Sequence, residues 1–172
     1  MFKSKYYVLK IIEIAGNKVS GRKRLQKLSY LMQRIGFPNQ FDFIYHRFGP
    51  YSAELSSTMS DLSALGLVKE TNEKKVFEYK ITKEGKTFIK LLEKNKLVEK
   101  YITPNEIEKA ANFISKQDPS LLELVSTIIF LMEYGKSNKN ACKEAGKLKP
   151  HLADRLDDAQ KILQNLPHLA GQ

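Results

Sequence analysis

Apolar positions recur at helical spacing over both ends of the chain and alternate only near its middle. Tyr6, Leu9 and Ile12 share a face with Tyr7, Val8 and Ile11 beside them, and Gly16-Asn17 stops the pattern, which predicts a first helix. A second is predicted within SGRKRLQKLSYLMQRIG (20–36), where Leu25, Leu28, Leu31, Met32 and Ile35 lie on one side and Gly36 and Pro38 close it. FDFIYHRFGPYS (41–52) is aromatic and β-branched up to Phe48 and then turns at Gly-Pro. It reads as a short strand or extended arm whose Phe41, Phe43, Tyr45 and Phe48 fill the core, with His46 a structural or surface residue. Ser52 is placed to cap a third helix carrying Leu55, Met59, Leu62 and Leu65, which Gly66 ends. Residues 67–69 and VFEYKI (76–81) read as strands around the charged tip ETNEKK, and Thr82 caps a fourth helix with Phe88, Leu91 and Leu92 inward.

Beyond a lysine-rich joint at 94–100 the rhythm is helical throughout. Thr103-Pro104-Asn105-Glu106 and Asp118-Pro119 each combine a cap with a first-turn proline, and two more helices are expected at about 138–146 and 151–165. The order helix, helix, arm, helix, hairpin, helix is that of a winged helix-turn-helix. The fold expected is mainly α with a small β-hairpin: a winged helix-turn-helix domain at 1–98 and an all-helical domain at 99–172.

Composition narrows the class. Of the 172 residues 42% are hydrophobic and 28% charged, a globular balance. Cys142 is the sole cysteine, which leaves no internal disulfide and no cysteine-based zinc or iron-sulfur site, and fits a reducing cytoplasm. The opening residues, broken by Lys10 and Glu13, read as an amphipathic helix rather than a signal peptide. The longest apolar stretch, LLELVSTIIFLM (121–132), is interrupted by Glu123 and falls short of the roughly 18 residues a membrane span needs, so it reads as a buried helix.

Charge adds a direction. The net charge is +10, and residues 1–50 hold ten lysines and arginines against two acids, whereas residues 101–172 hold nine against nine. A basic end of this kind suits a polyanion such as double-stranded DNA. On the second helix Lys23, Lys27, Tyr30 and Arg34 fall opposite the apolar side, an expected outward ridge for phosphate contacts, although a solvated polar face has the same pattern. Arg22 and Arg24 add cations to the first turn, where the helix dipole favours an external anion. The outward face of the third helix is expected to be Ala53, Ser57, Ser60, Asp61 and Ala64. It lacks the side chains that make bidentate base contacts, so Ser57 and Ser60 would approach the groove, or the row of small residues at 53–64 would receive a protein partner. Lys74 and Lys75 at the wing tip complete the expected DNA-binding set.

Catalytic templates are missing from the sequence: no HExxH, CxxC, GxGxxG, GxxxxGK[ST] or GxSxG occurs, and His46, His151 and His168 are far apart. His151, Asp154 and Asp158 would share a helical face as a metal shelf only if buried and clustered, and a lone Cys142 without a positioned histidine is more often inert. The expectation is a non-enzymatic protein with no metal and no cofactor.

GRKRLQKLSYLM (21–32), FGPYSAEL (48–55), GLV (66–68) and YKITKEGKTF (79–88), with LLELVSTIIFL (121–131), together resemble the YwgA-like family of bacterial and archaeal proteins. That resemblance implies a winged-helix, DNA-binding or regulator-like protein. The first two motifs are also similar, more loosely, to the Panacea domain of toxin–antitoxin systems, which implies neutralisation of a protein, and YKITKEG is similar to the wing exit of MarR-type and PadR-type regulators. Combined with the residues, the reading is a homodimeric transcriptional regulator, with a protein-interaction module as its alternative.

Overall fold

Short polar side chains start several helices where the sequence places them. Ser52 Oγ accepts from the Leu55 amide, Thr82 Oγ1 from the Gly85 amide, and Asp118 from the amides of Ser120 and Leu121, each satisfying donors that a helix start leaves open. The structure, a computed structural model, describes residues 2–73, 76–98 and 104–167. Its helices are α1 (Phe2–Ile14), α2 (Arg22–Arg34), α3 (Ala53–Ala64), α4 (Lys83–Lys94), α5 (Asn105–Ser115), α6 (Pro119–Glu133), α7 (Asn138–Leu148) and α8 (Leu156–Asn165), with a 3-10 helix at Pro150–Arg155. Its strands are β1 (Lys18–Ser20), β2 (Ile44–His46), β3 (Gly49–Tyr51), β4 (Val68–Glu73) and β5 (Val76–Ile81). The protein is mainly helical with a small antiparallel sheet. The expected cap at Thr103, the tip residues Lys74 and Lys75, and His168 lie outside the described residues.

The sheet runs β1-β5-β4, all antiparallel, with Val19 opposite Tyr79 and Glu70 opposite Tyr79 on the other side. Strand β1 has no counterpart in the sequence reading. Three residues are too few to show alternation, and the strand forms because Gly16 and Asn17, both at positive φ, turn the chain back so that Asn17 accepts from the Ile81 amide. At the base of the hairpin a Cβ on Gly85 would lie 2.2 Å from the Leu67 carbonyl oxygen, while Thr82 Oγ1 donates to the Gly66 carbonyl at 2.7 Å. Glycine is thus required there by space, and it seats the start of α4 directly against the turn that follows α3.

The arm is itself a hairpin, β2 pairing with β3 so that His46 faces Gly49. Phe41 is buried and Phe43 and Phe48 are half-buried, but Tyr45 sits at the surface, which corrects its expected place in the core. The expected helix at 151–165 is broken, because Pro150 starts a 3-10 turn that gives way to α8 only at Leu156.

Buried side chains of α1 (Tyr6, Leu9, Ile12), α2 (Leu28, Leu31) and α6 (Leu122, Val125, Ile129) belong to one core. Each such aliphatic side chain gains about 1.5–3 kcal/mol from leaving water. Helix α2 lies between α1 and α6 and is covered on both flanks. That central position decides what its polar residues can do.

Candidate nucleic-acid interface

Most of the expected cationic ridge on α2 faces protein. Lys27 is 3% exposed and Tyr30 is 0% exposed, and Arg34 is half-buried, so the continuous outward ridge is corrected. Lys27 Nζ donates to the Pro50 carbonyl at 2.6 Å, Tyr30 Oη donates to Glu133 at 2.6 Å, and Arg34 pairs with the same Glu133. Arg24 reaches the carbonyl of Ser115. The polar face meets α6 and α5 instead of solvent, and long side chains bring their charged ends to acceptors there. Burial pulls the Lys27 ammonium down to about 8, with Glu123 opposing the shift and Lys149 and Lys23 adding to it. Burial, and then its bond to Glu133, pushes the Tyr30 hydroxyl well above the usual tyrosine range.

The basic segment of α2 and the FGPYS segment form one joint. Gln26 accepts from the Ser52 amide and donates to the Ser52 carbonyl, both at 2.9 Å, which pins the residue that caps α3. Lys27 holds Pro50, and the Lys23 ammonium sits 3.1 Å from the centre of the Phe48 ring, a cation–π contact. Gly49 lies between them at φ 83°, and a Cβ there would come within 3.1 Å of Thr127 Oγ1 and 3.4 Å of Lys27 Cε. Glycine suits this positive φ and lets the arm approach α2 and α6 closely.

What remains open to solvent is the first turn of α2. The Arg22 side chain is 61% exposed; its guanidinium lies 3.6 Å over the Phe77 ring, bonds the Tyr79 hydroxyl at 3.2 Å and pairs with Glu70 at 3.1 Å. Lys23 is exposed as well. On α3, Ala53, Ser57, Ser60 and Ala64 are exposed as expected. Asp61 departs from that face: it turns toward α1, where it pairs with the buried Lys5 at 2.7 Å. Arg22, Lys23, Ser60 and Glu70 line a single cleft of about 380 Å³, so the start of α2, the middle of α3 and β4 border one depression. His46, expected to be a structural or surface residue, is exposed and also lines it. The sequence reading missed this cleft, although the aromatic run 41–52 beside a basic helix was its visible component.

Other sequence candidates are drawn into structural contacts. Cys142 is half-buried, its Sγ contacts Gln160 and Asn138, and burial pushes the thiol up, away from thiolate reactivity. His151 and Asp154 fall on the 3-10 helix while Asp158 lies in the first turn of the next helix and pairs with Lys161, and the three are not arranged to hold a metal ion. Among the described residues no group of three or more His, Cys, Asp or Glu side chains is arranged to hold a metal ion, and no helix is long and apolar enough to cross a membrane.

No family model matches the chain. The chain is similar to the uncharacterised protein YwgA of Bacillus subtilis (strain 168), with 28% identity over 134 residues, 76% of this chain and 75% of that one, which supports a YwgA-like family.

Proposed function

We propose that the chain is a non-enzymatic DNA-binding protein, a transcriptional regulator that uses a winged helix-turn-helix and acts as a homodimer. The observation that carries this reading is the shared cleft: it places the exposed cations Arg22 and Lys23 beside the exposed hydroxyl of Ser60 and the β4–β5 hairpin. The element order supports it: a short strand before α2 pairs with the hairpin that follows α3, an order compatible with a winged helix. So does the excess of basic residues in the first fifty positions. In this reading Arg22 and Lys23 clamp phosphates, Ser57 and Ser60 bring α3 close to the groove, and Lys74 and Lys75 hold the flank. Lys27, Tyr30, Arg24 and Arg34 position α2 from beneath. Two copies would address half-sites about one helical turn apart.

Binding of duplex DNA in a filter or gel-shift assay should weaken with salt, with a log–log slope of about −0.9 for each phosphate contact. Arg22→Glu with Lys23→Glu should abolish retention while leaving the melting midpoint near that of the parent. Retention that survives the double substitution, or no retention at low salt, overturns the reading.

A second reading has its own observation. Ala53, Ser57, Ser60 and Ala64 form a narrow exposed row that continues into Leu65, 60% exposed, a surface suited to a partner helix. Binding of a protein there by apolar contact would be nearly indifferent to salt.

A further inference from the structure

A duplex cannot use everything the cleft contains. Lys27 lines it at 3% exposure, beneath the reach of a phosphate backbone, and is deeply buried for a cation. Of its three donors, the described residues engage it through the Pro50 carbonyl, while the nearby Glu123 carboxylate is taken by Lys149 at 2.7 Å. Buried charge is costly unless an opposite charge answers it. Lys23 stands at the mouth over Phe48, and Arg22 is held in place by Phe77 and Glu70. Arg22, Lys23 and Lys27 therefore face a cleft whose lining carries Glu70 as its carboxylate, a net positive interior. Much of the remaining wall is apolar or aromatic, with Leu55, Met59, Phe48 and Tyr51 among it; Ser56, Ser60 and His46 add neutral polar groups, and Gln26 is already committed to Ser52 and Ser56. A volume of about 380 Å³, mostly apolar with a few convergent polar groups, is the build of a small-molecule site.

We infer that this cleft binds a small organic anion, a carboxylate or phosphate monoester on a flat apolar body. The headgroup lies among Lys23, Lys27 and Arg22, and the body lies against Phe48, Tyr51 and Met59. The site goes beyond the DNA reading and stands without it. Because Arg22 and Lys23 serve both, an occupied cleft competes with DNA.

The test is calorimetric titration of the full chain, without DNA, using benzoate and phenyl phosphate, with benzyl alcohol as the neutral control. Both anions should bind saturably, and the alcohol about tenfold or more weakly, the loss expected for one charge-assisted contact. Met59→Trp fills the cleft and should remove binding. Lys23→Met, at an exposed position that keeps the fold, should weaken it about tenfold. No saturable binding of either anion at millimolar concentration overturns the inference, as does equal binding of the alcohol, or affinity unchanged in Lys23→Met. A chain that binds benzoate but never retains DNA sinks the DNA reading alone, and one that retains DNA but binds neither anion sinks this one alone.

Discussion

The two ends of α2 carry the same chemistry in opposite surroundings. Arg22 and Lys23 begin the helix, lie open to solvent and rest on aromatic rings of neighbouring strands. Lys27 and Arg34 continue it, and their charged ends reach a carbonyl and a carboxylate of the protein itself. The difference arises from what covers each turn: β3 and α6 lie over the later turns and leave Lys27 at the floor of the cleft, whereas the first turn projects past them to its open mouth. A cation's type and helical phase therefore say little about its role until the neighbouring element is known.

Charge reversal separates the two ends most sharply. Lys27→Glu places a carboxylate against the Pro50 carbonyl and near Glu123, and should destabilise the fold by about 3–5 kcal/mol in denaturant melts. Reversal at Lys23 should cost no more than about 0.5 kcal/mol, as at ordinary surface positions, and at Arg22, which gives up its contacts with Phe77 and Glu70, about 1 kcal/mol. Equal costs at both ends would abolish the distinction.

Next in size is a pH effect peculiar to the buried end. The Lys27 ammonium titrates near 8 in the folded protein against 10.5 ordinarily, so between those values the unfolded chain holds the extra proton. Stability therefore rises with pH across that window: the penalty of the buried charge is full below about 8 and gone above 10.5. Relative to Lys27→Met, in which Lys23, Lys149 and Glu123 still face the site, the parent should gain about 3 kcal/mol over the window. A constant difference between the two melting profiles would contradict the burial argument. Smaller than either effect at Lys27 is the one at the far end of the helix: Tyr30→Phe deletes the hydroxyl that donates to Glu133, leaving Arg34 on that carboxylate, and should cost about 1–2 kcal/mol.

Local signals in the sequence carried much of the architecture. Ser52, Thr82 and Asp118 cap the helices they were expected to cap, and Leu25, Leu28, Leu31, Met32 and Ile35 are all buried. These depend on short-range hydrogen bonds and helical phase, which the sequence displays directly. Strand β1 and the break at Pro150 were not legible, because the first exists only through pairing with β5 and the second through a short segment of tighter winding. The site was legible only at its rim. Helical phase identified Lys27, Tyr30 and Arg34 as polar-side residues, but not that α6 would lie against that side. The clues were an aromatic residue among the cations and two acids, Glu123 and Glu133, set in an otherwise apolar helix. Such acids await partners from elsewhere in the chain, and α2 and the segment after α7 supply them.

Glu133 answers two residues of α2 from a helix a hundred positions downstream. A fragment cut near residue 98 would keep every strand and the whole cleft, yet it would bare the flank of α2 that α6 covers and leave Tyr30 and Arg34 without their acceptor. The basic half of this molecule is thus not a portable cassette: any rearrangement that moves it to another gene has to carry its acidic-studded helix along, or supply a substitute.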